Sequence, residues 1–123
     1  MRKDYFIFMQ SVAGSFEDEW EQCFLKVIER TGAGYRLLKL NVFVDSTDPE
    51  IFLRQKKIIR DSLLDRLGSQ CPALSITIHP PENPWKVSAE GMFVRNGNAE
   101  VKTKFWRSVP YVVIGPESKK EVW

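Results

Sequence analysis

A glutamate and a glycine stand side by side, Glu90-Gly91, inside a segment that otherwise alternates as a core strand does. From Lys86 to Val94 (KVSAEGMFV), Val87, Ala89, Gly91 and Phe93 fall on one face, and Ser88, Glu90, Met92 and Val94 fall on the other. A carboxylate at such a place either lines a site or accepts backbone N–H groups at a subunit edge, and glycine lets a ligand or another backbone approach closely. Just upstream, Ser75, Thr77 and His79 alternate with Ile76 and Ile78, the period of a half-buried strand. The break HPPENPW separates the two, with three prolines that can donate no ladder hydrogen bond. Strand, loop and strand thus run from Cys71 to Val94, and the chain is read outward from them.

Other side chains with chemical capacity are scattered. His79 is the only histidine and could act as a general base, but it abuts Pro80-Pro81, where a lone histidine is ordinarily solvated. Arg95 and Arg107 flank the last hairpin and could bind an anion, although single surface arginines are usually solvated. Trp85 and Trp106 could line a cleft for a flat ligand, with packing the commoner use. Arg54, Lys56, Lys57 and Arg60 lie on the polar side of a helix and could touch phosphates. Without interleaved aromatics they read as a solvated face. Cys71 has no cationic neighbour in sequence to activate it. No metal-ligand spacing is present, and neither metal nor cofactor is expected.

The elements that must hold these residues follow from pattern. Tyr5 to Val12 is rich in aromatic and β-branched residues and reads as a strand. Ser15 with Asp18 three residues on resembles a capping box, and Glu17, Asp18 and Glu19 suit the positive end of a helix. Phe16, Trp20, Phe24, Val27 and Ile28 then repeat at helical spacing until Gly32-Ala33-Gly34 stops them. Tyr35 to Val44 is a strand, with Leu38, Leu40, Val42 and Val44 as its apolar face and Leu37, Lys39, Asn41 and Phe43 as a mixed one. Asp48-Pro49-Glu50 opens a second helix whose core face is Phe52, Gln55, Ile59, Leu63 and Leu67, ended by Gly68. Asn96-Gly97 signals a tight hairpin, so Glu100 to Trp106 is expected to fold back on Val87 to Val94. Tyr111 to Ile114 gives one more strand after Pro110, expected to bond to the N-terminal strand of its own chain or of a neighbour. Strands alternate with helices and then run on, which predicts an α+β fold with two helices on one face of a mixed sheet. The other face stays apolar, with Ile7, Val42 or Phe43, and Phe93 as candidates, and asks for a partner.

Composition bounds the rest. At 123 residues the chain fits one domain, 1–123, with one sizeable core. A net charge of +2 is too mild to imply a nucleic-acid partner. No apolar run is long enough to span a bilayer. The opening MRKDYFIFMQSV puts basic residues before apolar ones, but acid-rich SFEDEWE follows at once, so it is not read as a signal peptide. Cys23 and Cys71 then read as reduced thiols of a cytoplasmic protein.

The central segment also resembles the reactive intermediate deaminase (Rid) family, otherwise known as L-PSP endoribonucleases. That family opens a strand with proline-alanine-arginine-serine, follows it with a proline-bearing loop, and continues with a strand of apolar residues alternating with glutamate. Here Pro72-Ala73-Leu74-Ser75 and Lys86-Val87-Ser88-Ala89-Glu90-Gly91 stand at those places. Leu40-Asn41-Val42-Phe43-Val44-Asp45 and Phe52 match a further strand and a helix aromatic, so the resemblance covers roughly residues 5 to 95. It implies a chorismate mutase-like sheet and a homotrimer, or a pseudo-trimer, with ligand clefts between subunits. The family's first strand is missing. Val109-Pro110-Tyr111 resembles its opening, so residues 96–123 either supply that strand, form an added hairpin, or begin a second unit of a tandem protein.

In the family, an arginine on the cleft strand binds the substrate carboxylate and a glutamate on the next strand orients water. Leu74 and Ser88 stand at those positions. Leucine cannot grip a carboxylate and serine is a poor acid or base near neutrality. The resemblance therefore implies a protein that binds a small metabolite in an intersubunit cleft without ordinary enamine/imine deaminase chemistry. Leu74, Trp85, Ser88, Glu90, Arg95 and Arg107 are the candidate lining residues. The alternatives are a divergent deaminase or hydrolase using Glu90 with Arg95 or Arg107, and, more weakly, an endoribonuclease.

Overall fold

Two helices cover one face of a four-stranded sheet, and a second, three-stranded sheet covers part of the other. This is the arrangement in a computed structural model that describes residues 3–8, 14–79, 85–95, 101–107, 109–114 and 121–122. Helix α1 (Phe16–Gly32) begins where the Ser15 hydroxyl accepts a hydrogen bond from the Asp18 N–H at 3.2 Å. It buries Phe16, Glu19, Trp20, Cys23, Phe24 and Val27. Helix α2 (Pro49–Leu67) begins at Asp48, whose carboxylate accepts from the N–H groups of Glu50 and Ile51 at 2.9 and 3.3 Å. It ends at Gly68, whose φ of +48° suits glycine. Gln55, Ile59 and Leu63 are its buried stripe. The Trp20 indole donates to the Ser62 hydroxyl at 3.1 Å and ties the two helices together.

The main sheet has the order β1 (Lys3–Phe8), β4 (Val87–Arg95), β2 (Tyr35–Val44), β3 (Ala73–Ile78). Strands β2 and β3 are parallel, so the chain must cross between them, and α2 is that crossover. Strand β4 runs antiparallel to both β1 and β2. Leu37, Leu40, Val42, Val44, Val87, Ala89 and Phe93 join the helices in one core cluster.

That cluster contains Leu37 and not Leu38, against the expected alternation. The register of β2 on β4 shifts between Leu37 and Lys39, which is a β-bulge. One extra residue there turns Leu38 to the face away from the helices, where it meets Met92, Val94 and Val112. Val42 and Phe93, expected among the outer apolar residues, are also fully buried on the helix side, leaving Phe43 outside. In register, Ile7 stands opposite Glu90.

Strands β5 (Val101–Trp106), β6 (Val109–Ile114) and β7 (Glu121–Val122) form the second sheet. Two expected pairings are therefore not made. Strand β5 does not fold back on β4, because β4 already has β1 on one edge and β2 on the other. Residues Tyr111–Ile114 do not bond to β1 of the same chain. They pair with β5 along their length and with β7 at Val113 and Ile114. The expected Asn96-Gly97 turn lies outside the described residues. Val112 plugs the apolar patch that the bulge creates, so packing against the sheet face prevails over extension of the sheet edge.

A polar link holds the two sheets together. Arg36, only 8% exposed, donates through Nη2 to the Thr103 hydroxyl at 2.8 Å. The same hydroxyl donates to the Cys71 carbonyl at 2.6 Å. Arg36 Nε has no partner among the described residues. Replacing Thr103 by valine keeps the shape and strands a guanidinium and a carbonyl. Urea denaturation is expected to show Thr103→Val losing about 1–3 kcal/mol. An unchanged midpoint would mean that the link is incidental.

Candidate functional site

Beyond the second sheet, the outer face of β2, β3 and β4 carries polar side chains around Phe43, and pairing across these three strands builds it. Ser75 of β3 stands beside Asn41 of β2, and Asn41 beside Glu90 of β4. The Asn41 amide donates to Glu90 Oε1 at 2.9 Å, which fixes the half-buried carboxylate on that face. The next row along the sheet is Thr77, Phe43 and Ser88. His79 follows β3, held by its N–H to the Val44 carbonyl at 3.1 Å, with its exposed ring edge-on to Phe43 at 6.0 Å between centroids. The second Glu90 oxygen makes no hydrogen bond with a described residue. The patch thus offers a positioned acceptor, hydroxyls and an aromatic face. It suits a ligand that presents donor groups to Glu90 and a flat or apolar part to Phe43.

The six candidate residues do not converge. Ser88 and Glu90 are successive outward positions on β4, so the structure brings these two together. Leu74 turns the other way and packs beside the helix-side core. Strand alternation puts Arg95 on the helix side too, where its guanidinium lies 5.5 Å from the Tyr35 ring centre and 3.4 Å from its hydroxyl. Five residues of strand, roughly 17 Å, also separate it from Glu90. The expected partnership of Glu90 with Arg95 is therefore not formed within one chain. Arg107 sits exposed in the turn after β5, with φ of +49° and its guanidinium stacked 4.7 Å from the Trp106 ring centre. Trp85 is half-buried at the lead into β4.

Sequence reasoning missed the pair Glu19 and Lys86. Glu19 is fully buried, and its carboxylate accepts from the Lys86 N–H at 2.7 Å and the Gly14 N–H at 3.2 Å. The Lys86 ammonium lies 3.6 Å away and donates to the Gly14 carbonyl at 2.7 Å. One carboxylate thereby anchors the entry to β4, the strand that carries Glu90. The run Glu17-Asp18-Glu19 read as charges complementing a helix dipole. The overlooked signal was position: Glu19 lies three residues after Phe16 and four before Cys23, inside the apolar stripe.

Burial pushes the thiols of Cys23 and Cys71 up to about 11. Lys26 opposes this in part at Cys23 and Arg36 does so at Cys71. Neither thiol is expected to react with a disulfide reagent at neutral pH until the protein is unfolded. Since the folded values lie above the ordinary 9.0, the folded state holds these protons more tightly. The stability they carry is complete below pH 9 and disappears as pH rises through about 11. Urea titrations across that window should show a falling midpoint, and a flat one would contradict the burial.

Among the described residues no cluster of three or more His, Cys, Asp or Glu could hold a metal. None of the described helices is long and apolar enough to cross a membrane. No family model matches the chain. No curated protein matches it either. Solved structures do. An uncharacterized protein from Pseudomonas aeruginosa superposes with a TM-score of 0.58 at 14% identity, over 76% of this chain and 84% of that one. A "putative endoribonuclease" from Thermotoga maritima superposes with a TM-score of 0.54 at 19% identity, over 76% of this chain and 77% of that one. At such identities the similarity speaks for the fold, which is α+β and Rid-like, with two helices on one face of a mixed sheet.

Proposed function

We propose that this chain is a Rid-type protein that binds a small metabolite on the outer sheet face, in a cleft completed by another copy, and that it does not hydrolyse enamines or imines. The observation that carries this reading is the Glu90 carboxylate, held by Asn41 on an open polar patch at a place that packing alone does not demand. Leu74 in the helix-side core supports the negative half, because no guanidinium from that position meets Glu90. A metabolite carboxylate would need a cation from elsewhere. Arg107, exposed at the tip of the β5–β6 turn, is the candidate to supply it across a subunit boundary. Cleavage of RNA is less well supported, since Glu90 is partnered by Asn41 and not by His79.

The test joins assembly to binding. Sedimentation should give a trimer, and small amino and hydroxy carboxylates should raise the melting temperature of the wild type. Glu90→Leu should lose that shift while keeping the fold. A well-folded monomer at high micromolar concentration, or a shift that survives Glu90→Leu, would remove the cleft from consideration.

A further inference from the structure

Lys39 stands on β2 two residues before Asn41, in register with Met92 of β4 and Ala73 of β3. Asn41 points outward, as its bond to Glu90 shows, and Met92 belongs to the outer cluster, so strand alternation turns Lys39 to the same outer face. It is half-buried there, between two buried apolar neighbours. A lysine so placed lays its stem on the apolar surface and sends its ammonium on to water or to an acid. The acid on that face is Glu90, its diagonal neighbour across β2 and β4, at about 7–8 Å between Cβ atoms. The two do not pair. Lys39 forms no ion pair or hydrogen bond with a described residue, and Glu90 gives one oxygen to Asn41. Phe43 lies two residues beyond Asn41 on the same face. Along β2 the face therefore runs from cation to anchored carboxylate to aromatic ring, at steps of about 7 Å.

From this order we infer that the cleft takes an α-amino acid with an aromatic side chain, and that Lys39 holds its carboxylate. The inference rests on the reading of the outer face as a binding cleft and names what that cleft takes. The ligand's ammonium donates to the Glu90 oxygen that Asn41 leaves free. Its carboxylate, one carbon away, turns to Lys39. Its ring turns the opposite way along β2 and lies on Phe43. A step of about 7 Å is beyond the methyl of alanine and within reach of an aromatic ring. An ammonium meets Glu90 as an ion pair, and a hydroxyl only as a hydrogen bond. Lys39 answers within one chain the need for a cation that Leu74 leaves, and Arg107 of a second copy adds to a contact already made.

Calorimetric titration of the 123-residue chain with L-phenylalanine is the test, repeated with L-alanine, phenylalaninamide and 3-phenylpropionate. These analogues lack the ring, the carboxylate and the ammonium respectively. Phenylalanine is expected to bind with a dissociation constant at or below about 1 mM, and each analogue at least about tenfold more weakly. Lys39→Met keeps the apolar stem and should melt as the wild type does, yet bind phenylalanine at least about tenfold more weakly. Lys39→Arg keeps the charge and should bind phenylalanine within about threefold of the wild type, a rescue that packing alone would not produce. Phenylalanine affinity unchanged in Lys39→Met would overturn the inference, and so would an analogue that binds as well as phenylalanine. In either case, amino carboxylates that still lose their binding in Glu90→Leu would leave the cleft itself standing. No saturable binding of phenylalanine or alanine up to about 10 mM would overturn the inference and the cleft together.

Discussion

Glu19→Ala is expected to lose about 3–5 kcal/mol of folding stability, enough to consume much of the margin of a domain this size. The carboxylate is fully buried and accepts two backbone N–H groups, from Gly14 and Lys86. Alanine strands both donors and leaves a cavity where the buried side chain was. The ion pair itself contributes less, because the Lys86 side chain is 41% exposed and its charge stays solvated when Glu19 is removed. Glu19→Gln should therefore be the milder change, since an amide oxygen can still accept one N–H. Lys86→Met should be milder again, since it leaves the backbone bonds in place. Chemical denaturation of the three variants gives the order. Equal losses for Glu19→Ala and Lys86→Met would mean that the charge pair, and not the backbone bonds, carries the effect.

Removal of residues 96–123 should be as damaging. Leu38 and Val94 are at most 1% exposed and Met92 is 9% exposed, and Val112 is the residue that closes over them. Returning three apolar side chains to water costs up to about 1.5–3 kcal/mol each. Arg36 would also lose Thr103, its hydrogen-bond partner. A chain ending at Arg95 is expected to be largely unfolded or aggregated at 37 °C, as judged by circular dichroism and light scattering. A milder variant isolates the contact: Val112→Ala should lose about 1–3 kcal/mol. A stable, monomeric protein ending at Arg95 would show that the second sheet is an appendage and that the patch around Leu38 tolerates water.

The sequence made the helices legible because several independent signals coincided. Ser15 and Asp48 cap, Pro49 opens, glycines close, and the apolar positions between them keep helical spacing. The α+β class, with two helices on one face of a mixed sheet, was legible from alternation together with the Rid resemblance, but the split into a four-stranded and a three-stranded sheet was not. The face assignment of β2 was not, because a period-2 reading has no way to register the extra residue of a bulge, and Leu38 moves to the other face on that account. The partner of β5 was also misplaced. The Asn-Gly signal speaks for a local turn, but whether β4 has an open edge depends on β1, some eighty residues upstream. At the candidate site, Glu90 and Ser88 were legible as outward positions on β4. Asn41, which holds Glu90, looked like an ordinary polar position on a mixed face until β2 and β4 were in register. Glu19 was hidden by its acidic neighbours.

The proposal at the centre of this account is a metabolite-binding protein of Rid-like fold without deaminase chemistry. It is tested most directly by coupling the purified protein to a pyridoxal-dependent dehydratase that releases 2-aminoacrylate, and following the decay of that intermediate. With Leu74 packed against the helix-side core, and Ser88 at the position where the resemblance would put a water-orienting glutamate, decay is predicted to proceed at its spontaneous rate at any protein concentration. Acceleration comparable to that of an ordinary Rid deaminase, abolished by Glu90→Gln, would contradict the account and make Glu90 the catalytic carboxylate.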